Sequence, residues 1–378
     1  MATVPPCGSV LFDTGPLGTG SCFQQPERII EAWQPQDVPG AFEAMEEARA
    51  NGLWLAGSMS YELGYVLIPK LTPRLPSERH EPLLRFGVFT QVAPPEPISQ
   101  HGPASLGPLD PAWDLDTYEK AFDAVRKYLQ NGDIYQANLT FPISLPVKGS
   151  LHALYDILRQ RQPVPYGALV DLGETTLLSR SPELFFSLSS TGALRARPMK
   201  GTSKRSDDPA EDTALKVQLE GSVKNRAENL MITDLLRNDF GRIAKIGSVR
   251  VPKLFAVESY ATVHQMTSDV TAQILPEYNL TDIFTALFPC GSITGAPKIR
   301  AMEIIEELED TPRGSYCGAI GWIAPNGAMA FNVAIRTLIC TASDKVTLNV
   351  GGGIVYDSTA SSEYEEALLK AQFTQQLS

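Results

Sequence analysis

Helical and strand-like segments interleave in this chain without the strict strand–helix–strand alternation that a parallel sheet requires. Apolar periodicity predicts helices over Ala41–Asn51, Leu115–Asn131, Ala210–Ile243, Pro297–Leu308 and Ser362–Gln376. It predicts strands over Ser9–Phe12, Trp54–Met59, Leu83–Val92, Ala168–Leu172, Leu184–Ser187, Ala319–Ala324, Met329–Cys340 and Lys345–Val350. This mixture predicts an α+β fold with largely antiparallel sheets.

A proline-rich stretch interrupts the pattern. Prolines stand at positions 94, 95, 97, 103, 108 and 111, where bulky apolar residues are few, so neither a helix nor a strand is expected. We interpret 93–112 as a connector between a sheet-rich portion, 1–92, and a portion that carries the chemical motifs, 113–378. A length of 378 residues allows one or two domains.

Composition excludes several functional classes. No run of about 18 apolar residues is present, so no membrane span is expected. The first basic residue is Arg28, which argues against a secretory signal and predicts a cytoplasmic protein. A net charge of -11 disfavours nucleic acid as a partner. Five scattered cysteines without a CxxC pair are expected to be reduced thiols: Cys7, Cys22, Cys290, Cys317 and Cys340.

Three consecutive glycines, Gly351, Gly352 and Gly353, follow the predicted strand Lys345–Val350. Glycines at this place allow the backbone to approach a ligand closely, and their amides could hold a carboxylate. A tight turn at the end of a strand is the alternative interpretation.

Acidic residues begin the predicted helix that follows the glycines. Ser362 and Glu365 have the spacing of a capping box, and Glu363 and Glu366 share one face of the helix. A divalent cation would relieve the repulsion between these two carboxylates. A solvated helix face is the alternative, because carboxylates are common at helix starts.

A further acid, Glu228, lies in a segment whose apolar residues cover more than half of the helix circumference. A buried carboxylate needs a cation or a basic partner, so Glu228 indicates either a metal site or a structural salt bridge. Oxygen ligands from few carboxylates suit Mg²⁺ better than zinc.

Two other features carry weaker signals. The segment 291–298 (GSITGAPK) does not fit a phosphate-binding loop, because Lys298 does not directly follow the second glycine. Its Ser292 could still face a ligand. A single histidine such as His264 is more often structural than catalytic.

Seven motifs in one order resemble those of the chorismate-utilising enzymes. They are 133–140 (DIYQANLT), 181–183 (SPE), 198–202 (PMKGT), 226–239 (RAENLMITDLLRND), 291–298, 334–336 (AIR) and 351–366 (GGGIVYDSTASSEYEE). The resemblance is strong over about 115–376 and weaker over 56–65 (AGSMSYELGY). The family comprises anthranilate synthase component I, aminodeoxychorismate synthase component I, and the isochorismate and salicylate synthases.

The resemblance implies one large sandwich of two antiparallel sheets with flanking helices, so 93–112 is then an insertion within one fold. A central cleft would hold chorismate and Mg²⁺, the metal bound by Glu228 and Glu366 with help from Glu363. Arg336 and Tyr316 would bind the side-chain carboxylate of chorismate, and the amides of the three glycines would add donors. Further substrate contacts are expected from Thr202, Ser292, His264 and Gln136.

Two positions distinguish members of the family. Isochorismate-type enzymes have a water-activating lysine where this chain has Gln136, and anthranilate synthases usually have alanine where it has Lys200. Lys200 matches the aminodeoxychorismate synthases, although their motif is typically PIKGT and Met199 departs from it. The resemblance implies that the Lys200 amine attacks chorismate and that Glu183 serves as acid and base. Lys200 could instead only pair with a carboxylate, and Glu183 could be a structural acceptor.

The resemblance also implies an ammonia-using reaction that supplies p-aminobenzoate for folate synthesis. No Cys-His glutaminase segment is apparent, so ammonia is expected from a separate glutamine amidotransferase subunit. Two alternatives stay open: anthranilate synthase component I, and a non-catalytic chorismate-binding partner of a glutaminase.

Overall fold

The computed structural model of the protein describes residues 8–95, 102–260, 263–341 and 344–375. Within these ranges the helices are α1 Asp37–Ala50, α2 Leu63–Leu67, α3 Leu115–Asn131, α4 Leu151–Arg161, α5 Pro209–Gly221, α6 Val223–Gly241, α7 Leu280–Leu287, α8 Lys298–Leu308 and α9 Ala360–Ala371. None of these helices is both long and apolar enough to span a membrane.

Two ten-stranded sheets form the centre of the fold. The first sheet contains β1 Ser9–Phe12, β2 Ser21–Gln24, β6 Ser105–Leu106, β7 Asp110–Pro111, β8 Gln136–Lys148, β9 Tyr166–Asp171, β10 Thr176–Ser181, β16 Gly295–Ala296, β19 Thr337–Cys340 and β20 Lys345–Ile354. The second contains β3 Arg28–Ala32, β4 Trp54–Met59, β5 Leu84–Phe89, β11 Leu184–Leu188, β12 Ala193–Arg197, β13 Met199–Lys204, β14 Arg250–Ser259, β15 Val263–Gln273, β17 Ala319–Ile323 and β18 Met329–Val333. All the described strand pairs are antiparallel, which confirms the predicted α+β class.

Apolar side chains form two clusters that follow from strand alternation. One joins both sheets with α1 and α7. The other packs α3, α4 and α9 against the outer face of the first sheet, where β8 contributes Leu139, Phe141 and Ile143. Because neighbouring strand residues point to opposite faces, the buried polar residues Gln136 and Asn138 of β8 lie on the face away from those helices.

Local signals explain the best-predicted elements. The helix α3 begins where the Asp114 side chain accepts a hydrogen bond from the Thr117 amide and ends before Gly132, which adopts the left-handed conformation. The predicted strands Ser9–Phe12 and Trp54–Met59 have the same bounds in the structure. Short apolar runs between turn residues are therefore sufficient to define these elements.

Several predicted boundaries were wrong. The single helix Ala210–Ile243 is two helices, because Ser222 leaves the helical conformation and its side chain caps the second. The single strand Met329–Cys340 is broken at residues 334–336, where Arg336 has a φ of 50°. The capping box of Ser362 and Glu365 does not form, because the helix begins at Ala360. Gln376, its predicted end, lies outside the described residues.

The three glycines also differ from the expectation. They lie inside β20 and do not follow it: Gly351, Gly352 and Gly353 pair with Thr140, Leu139 and Asn138 of β8. Pro297 precedes the first residue of α8 as its cap, one position earlier than predicted.

Strands from both sides of the proline-rich stretch share both sheets. The strand β1 pairs with β9, and β4 pairs with β17. Residues 105–106 and 110–111 of the predicted connector add short strands to β8, while 96–101 lie outside the described residues. The predicted connector at 93–112 therefore does not separate the two sheets. The division of the chain into two portions stays a prediction.

None of the four described cysteines forms a disulfide: Cys22, Cys290, Cys317 and Cys340. Cys7 lies outside the described residues.

Candidate active site

Lys200 is a half-buried residue of β13, at an irregularity in the pairing of that strand with β15. The pairing shifts between Met199 and Thr202, and Gly201 between them has a φ of 91°. A side chain at Gly201 would also come within 2.9 Å of Asn225 on α6. The irregularity turns the strand locally, as bulges near functional sites commonly do. The sequence signal for this geometry is the glycine itself.

Glu183 lies in the short connection from β10 to β11, which carries the chain from the first sheet to the second. The Ser181 hydroxyl fixes this connection by donating to the Val333 carbonyl at 2.6 Å. Glu183 is 6% exposed, and its Oε1 atom has no hydrogen-bond partner among the described residues. Burial raises its pKa to about 7, although the Ser292 hydroxyl and the charge of Lys200 oppose the rise.

Three predicted metal ligands come from two helices, Glu228 from α6 and Glu363 and Glu366 from α9. Burial raises the pKa of Glu228, the charge of Lys200 opposes this, and the charges of Glu363 and Glu366 add to it. The three carboxylates are thus close enough to interact. No preformed group of three or more metal-ligating side chains exists among the residues that the structure describes.

Lys370 is a functional candidate that the sequence reasoning missed. Its Nζ atom donates to the Gly351 carbonyl at 2.8 Å and lies 2.9 Å from Glu366 Oε1. Burial disfavours ionisation of Glu366, but Lys370 outweighs this and, with Lys200, holds its pKa below the ordinary value. The spacing of Lys370, four residues after Glu366 on one helix, was the available signal.

Arg336 occupies the break between β18 and β19 with a left-handed backbone, which is uncommon for a residue other than glycine. Burial lowers the pKa of its guanidinium. Within the described ranges no acidic side chain forms a salt bridge with it. A half-buried guanidinium without an acidic partner suits a carboxylate ligand.

Tyr316 is 4% exposed and belongs to a loop attached to the segment before Arg336, since the Cys317 amide donates to the Ala334 carbonyl at 2.9 Å. Burial raises the pKa of its phenol well above the ordinary value, so the hydroxyl remains a neutral donor.

The glycines of β20 provide space for neighbouring polar groups. A side chain at Gly353 would lie 2.8 Å from Gln136 Nε2, and one at Gly352 would lie 3.1 Å from Glu363 Oε2. Gln136 is 1% exposed, and its Nε2 atom has no partner among the described atoms. An unpaired buried donor beside a glycine fits an acceptor atom of a ligand.

The remaining predicted residues differ in how much of their hydrogen-bonding capacity is free. Ser292 is buried, and its hydroxyl opposes the rise of the Glu183 pKa. Thr202 is exposed and donates to Gln265. His264 is buried, with Nδ1 2.9 Å from Ser259 Oγ and Nε2 2.9 Å from Asp212 Oδ1. Both ring nitrogens are engaged, which favours the structural interpretation of His264 over direct substrate contact.

Lys298, by contrast, is already paired with protein groups. Its Nζ atom lies 2.7 Å from Asp239 Oδ2 and donates to the Leu287 carbonyl at 3.1 Å. This engagement agrees with the prediction that 291–298 is not a phosphate-binding loop.

Two cavities, of about 250 and 420 Å³, lie away from the candidate site, and neither is lined by Lys200, Glu183 or Glu228.

Comparison with known proteins decides the family. The model of chorismate binding enzymes matches residues 9–376, which include every candidate described above. The chain belongs to the chorismate binding enzyme family.

Curated relatives carry more specific names. The chain is 44% identical over 255 residues to aminodeoxychorismate synthase component 1 of Escherichia coli, covering 68% of this chain and 56% of the relative. It is 39% identical over 269 residues to the protein of that name from Bacillus subtilis, covering 71% and 57%. The chain thus spans little more than half of the length of these relatives.

A solved structure has the same fold as this chain. Anthranilate synthase component I from Streptococcus pneumoniae superposes with a TM-score of 0.79 at 26% identity, covering 99% of this chain and 94% of that one. The predicted anthranilate synthase component I-like sandwich is therefore confirmed.

Proposed function

We propose that this chain converts chorismate and ammonia into 4-amino-4-deoxychorismate. In this proposal the Lys200 amine forms a bond to C2 of chorismate, the ring double bond shifts, and the C4 hydroxyl leaves as water with a proton from Glu183. Ammonia then attacks C4, the double bond shifts back, and Lys200 leaves as the free amine. Glu183 accepts the proton that ammonia loses.

The observation that carries this proposal is the buried Glu183 carboxyl, which lies close enough to Lys200 for the lysine charge to lower its pKa. A carboxyl with a pKa of about 7 holds and releases a proton near neutral pH, which suits both halves of the reaction. Its unpaired Oε1 leaves a position for the substrate hydroxyl. The names of the relatives that are 39–44% identical to this chain agree with the chemistry.

We assign Mg²⁺ to the acids Glu228, Glu363 and Glu366, whose carboxylate oxygens are the donors that this ion prefers. When bound, Mg²⁺ would neutralise the ring carboxylate of chorismate. The fit rests on Glu228, whose pKa is raised by burial and by the charges of Glu363 and Glu366; a divalent cation would relieve both effects. The same carboxylates interact with the charge of Lys200, and a bound cation would weaken that interaction.

We assign the side-chain carboxylate of chorismate to Arg336 and Tyr316. The half-buried guanidinium forms no salt bridge among the described residues, and the phenol next to its segment is a neutral donor. Gln136, Ser292 and the amides of Gly351, Gly352 and Gly353 would complete the contacts, with Thr202 at the periphery. His264 is left out of the contacts, because both of its ring nitrogens have protein partners.

We propose a separate glutamine amidotransferase subunit as the source of ammonia. The words "component 1" in the names of the relatives support a second component. We also propose a cytoplasmic location. The product would serve p-aminobenzoate and folate synthesis.

The test is product identification. Purified protein with Mg²⁺, an ammonium salt and chorismate is expected to form aminodeoxychorismate, measured by liquid chromatography and mass spectrometry. Anthranilate as the main product would favour anthranilate synthase component I. Chorismate left unchanged under conditions where it binds would favour the non-catalytic alternative.

A further inference from the structure

Arg313 lies outside the proposed chemistry, yet its guanidinium joins segments that carry proposed substrate contacts. It is 4% exposed and lies in the loop after α8. Its Nη1 atom donates to the Ile293 carbonyl at 3.0 Å, and Nη2 donates to the Asn138 carbonyl at 2.6 Å. Ile293 follows Ser292, and Asn138 lies two residues after Gln136.

Glu309 completes this arrangement. Its Oε2 and Oε1 atoms accept from Arg313 Nε at 2.8 Å and Nη2 at 2.7 Å, which is the bidentate geometry of a strong ion pair. Glu309 Oε1 also accepts from the amide and the hydroxyl of Thr140, each at 2.9 Å. Thr140 pairs with Gly351 in the first sheet. The ion pair therefore extends to the glycine strand.

The backbone of Arg313 is held as firmly as its side chain. Its amide donates to Glu62 Oε1 at 2.7 Å, and its carbonyl accepts from Asn349 Nδ2 at 3.3 Å. The Tyr61 ring lies under the guanidinium, with the Arg313 Cζ atom 4.5 Å from the ring centroid. Tyr316 follows three residues later, and its amide donates to the Arg313 carbonyl at 3.2 Å.

We propose that Arg313, together with Glu309, is a positioning residue that fixes the segments of Gln136, Ser292, Gly351 and Tyr316 relative to one another. These segments come from two strands and two loops that are far apart in sequence. The Arg313 guanidinium makes four hydrogen bonds in fixed directions, whereas a lysine ammonium has three donors at a single atom and cannot reproduce them. The inference rests on the proposed function, because it assumes that these segments bind chorismate.

Arg180 offers a matched control. It is fully buried, its Nη1 atom bonds to Asp13 and Tyr155, and its Nε and Nη2 atoms donate to the Gln162 carbonyl. Both arginines thus form a buried ion pair and also hold backbone oxygen, but the Arg180 side chain joins no segment that carries a proposed substrate contact.

The experiment measures the Kd of chorismate by calorimetry with Mg²⁺ and without ammonia, in a Lys200→Ala background that prevents the covalent step. Adding Arg313→Lys is expected to raise this Kd about tenfold or more, because small displacements of binding groups have large effects. Adding Arg180→Lys is expected to change it by less than about twofold at a similar loss in Tm.

Thr140→Val provides a milder variant in case Arg313→Lys does not fold. It removes only the hydroxyl bond to Glu309 and is expected to raise the Kd about threefold. Equal Kd values for the Arg313→Lys and Arg180→Lys proteins, or an unchanged Kd in Thr140→Val, would overturn the positioning role. If the Lys200→Ala reference itself bound no chorismate, the proposed function would fail first, and the two failures are thereby distinguished.

Discussion

Two groups of charged residues in this protein contain similar side chains and differ in how completely they are paired. The saturated cluster consists of Asp13, Tyr155, Arg159 and Arg180, in which the buried Arg180 guanidinium directs its donors to Asp13, Tyr155 and a backbone carbonyl. The open cluster consists of Lys200, Glu183, Glu228, Glu363, Glu366, Gln136 and Arg336. There, Glu183 Oε1 and Gln136 Nε2 have no partner within the described part of the chain.

This difference distinguishes a cluster that stabilises the fold from a cluster that can bind a ligand. An unpaired buried polar atom is costly unless water or a ligand satisfies it. In the saturated cluster each nitrogen of the Arg180 guanidinium has a protein partner, so its expected contribution is to stability. The open cluster contains polar atoms without protein partners, and the raised pKa values of Glu183 and Glu228 are typical of functional sites.

The largest expected effect is at the nucleophile. Lys200→Ala should lower kcat/KM for aminodeoxychorismate formation by about 10³-fold or more, because the substitution removes the amine that forms the covalent bond. Lys204→Ala on the same strand, an exposed lysine, is the matched control and should remain within about twofold. Comparable losses in both variants, measured by steady-state kinetics, would remove the distinction between Lys200 and an ordinary surface lysine.

The next effect is at the acid. Glu183→Gln should lower kcat by about 10²- to 10³-fold with little change in KM, since glutamine keeps the shape but cannot transfer a proton. The pH profile of kcat in the wild-type enzyme should also contain a limb near pH 7 that reflects Glu183. A variant that kept the wild-type kcat would assign Glu183 to a structural role.

A smaller effect is expected at the carboxylate-binding position. Arg336→Lys should raise KM for chorismate about 10- to 100-fold and leave kcat less affected, because lysine retains the charge without the bidentate geometry. Arg180→Lys, in the saturated cluster, should lower Tm and leave KM nearly unchanged. The two clusters would not differ in function if both substitutions changed KM alike.

The smallest effect concerns stability. The pKa of Glu183 is raised from 4.5 to about 7, so the neutral form stabilises the folded state below pH 4.5, and this contribution is lost as the pH rises through 7. The Tm of Glu183→Gln relative to the wild type should therefore rise by about 2–4 °C as the pH is raised from 4.5 to 8. Calorimetry in metal-free buffer measures this difference. A Tm difference independent of pH would contradict burial as the cause of the shift.

Sequence patterns predicted the sheets better than the site. The helix Leu115–Asn131 and the strands Ser9–Phe12 and Trp54–Met59 have local signals, and their bounds were correct. The break at Ser222 lies within a continuous apolar pattern, and the break before Thr337 depends on the left-handed backbone of Arg336. Gly221 and Ser222 are residue types typical of a helix end and a helix start, so only the second break lacks a signal in the sequence.

The identity of the proposed site residues came from motifs, whereas their connections came from the three-dimensional structure. Lys370 contacts Gly351 from another element, and Arg313 bonds to the carbonyls of Asn138 and Ile293, which are remote in sequence. The saturation of His264 by Asp212 was likewise invisible in the sequence. Long-range hydrogen bonds of this kind follow from the fold and not from local periodicity.

The account depends most on a covalent bond between Lys200 and the substrate, and intact-mass spectrometry tests it directly. Protein incubated with chorismate and Mg²⁺ without ammonia, then quenched in acid, should gain the mass of chorismate less one water, located on the peptide that contains Lys200. The Lys200→Ala protein should gain nothing. Unmodified wild-type protein at every quench time, together with wild-type turnover in Lys200→Ala once ammonia is added, would contradict the mechanism.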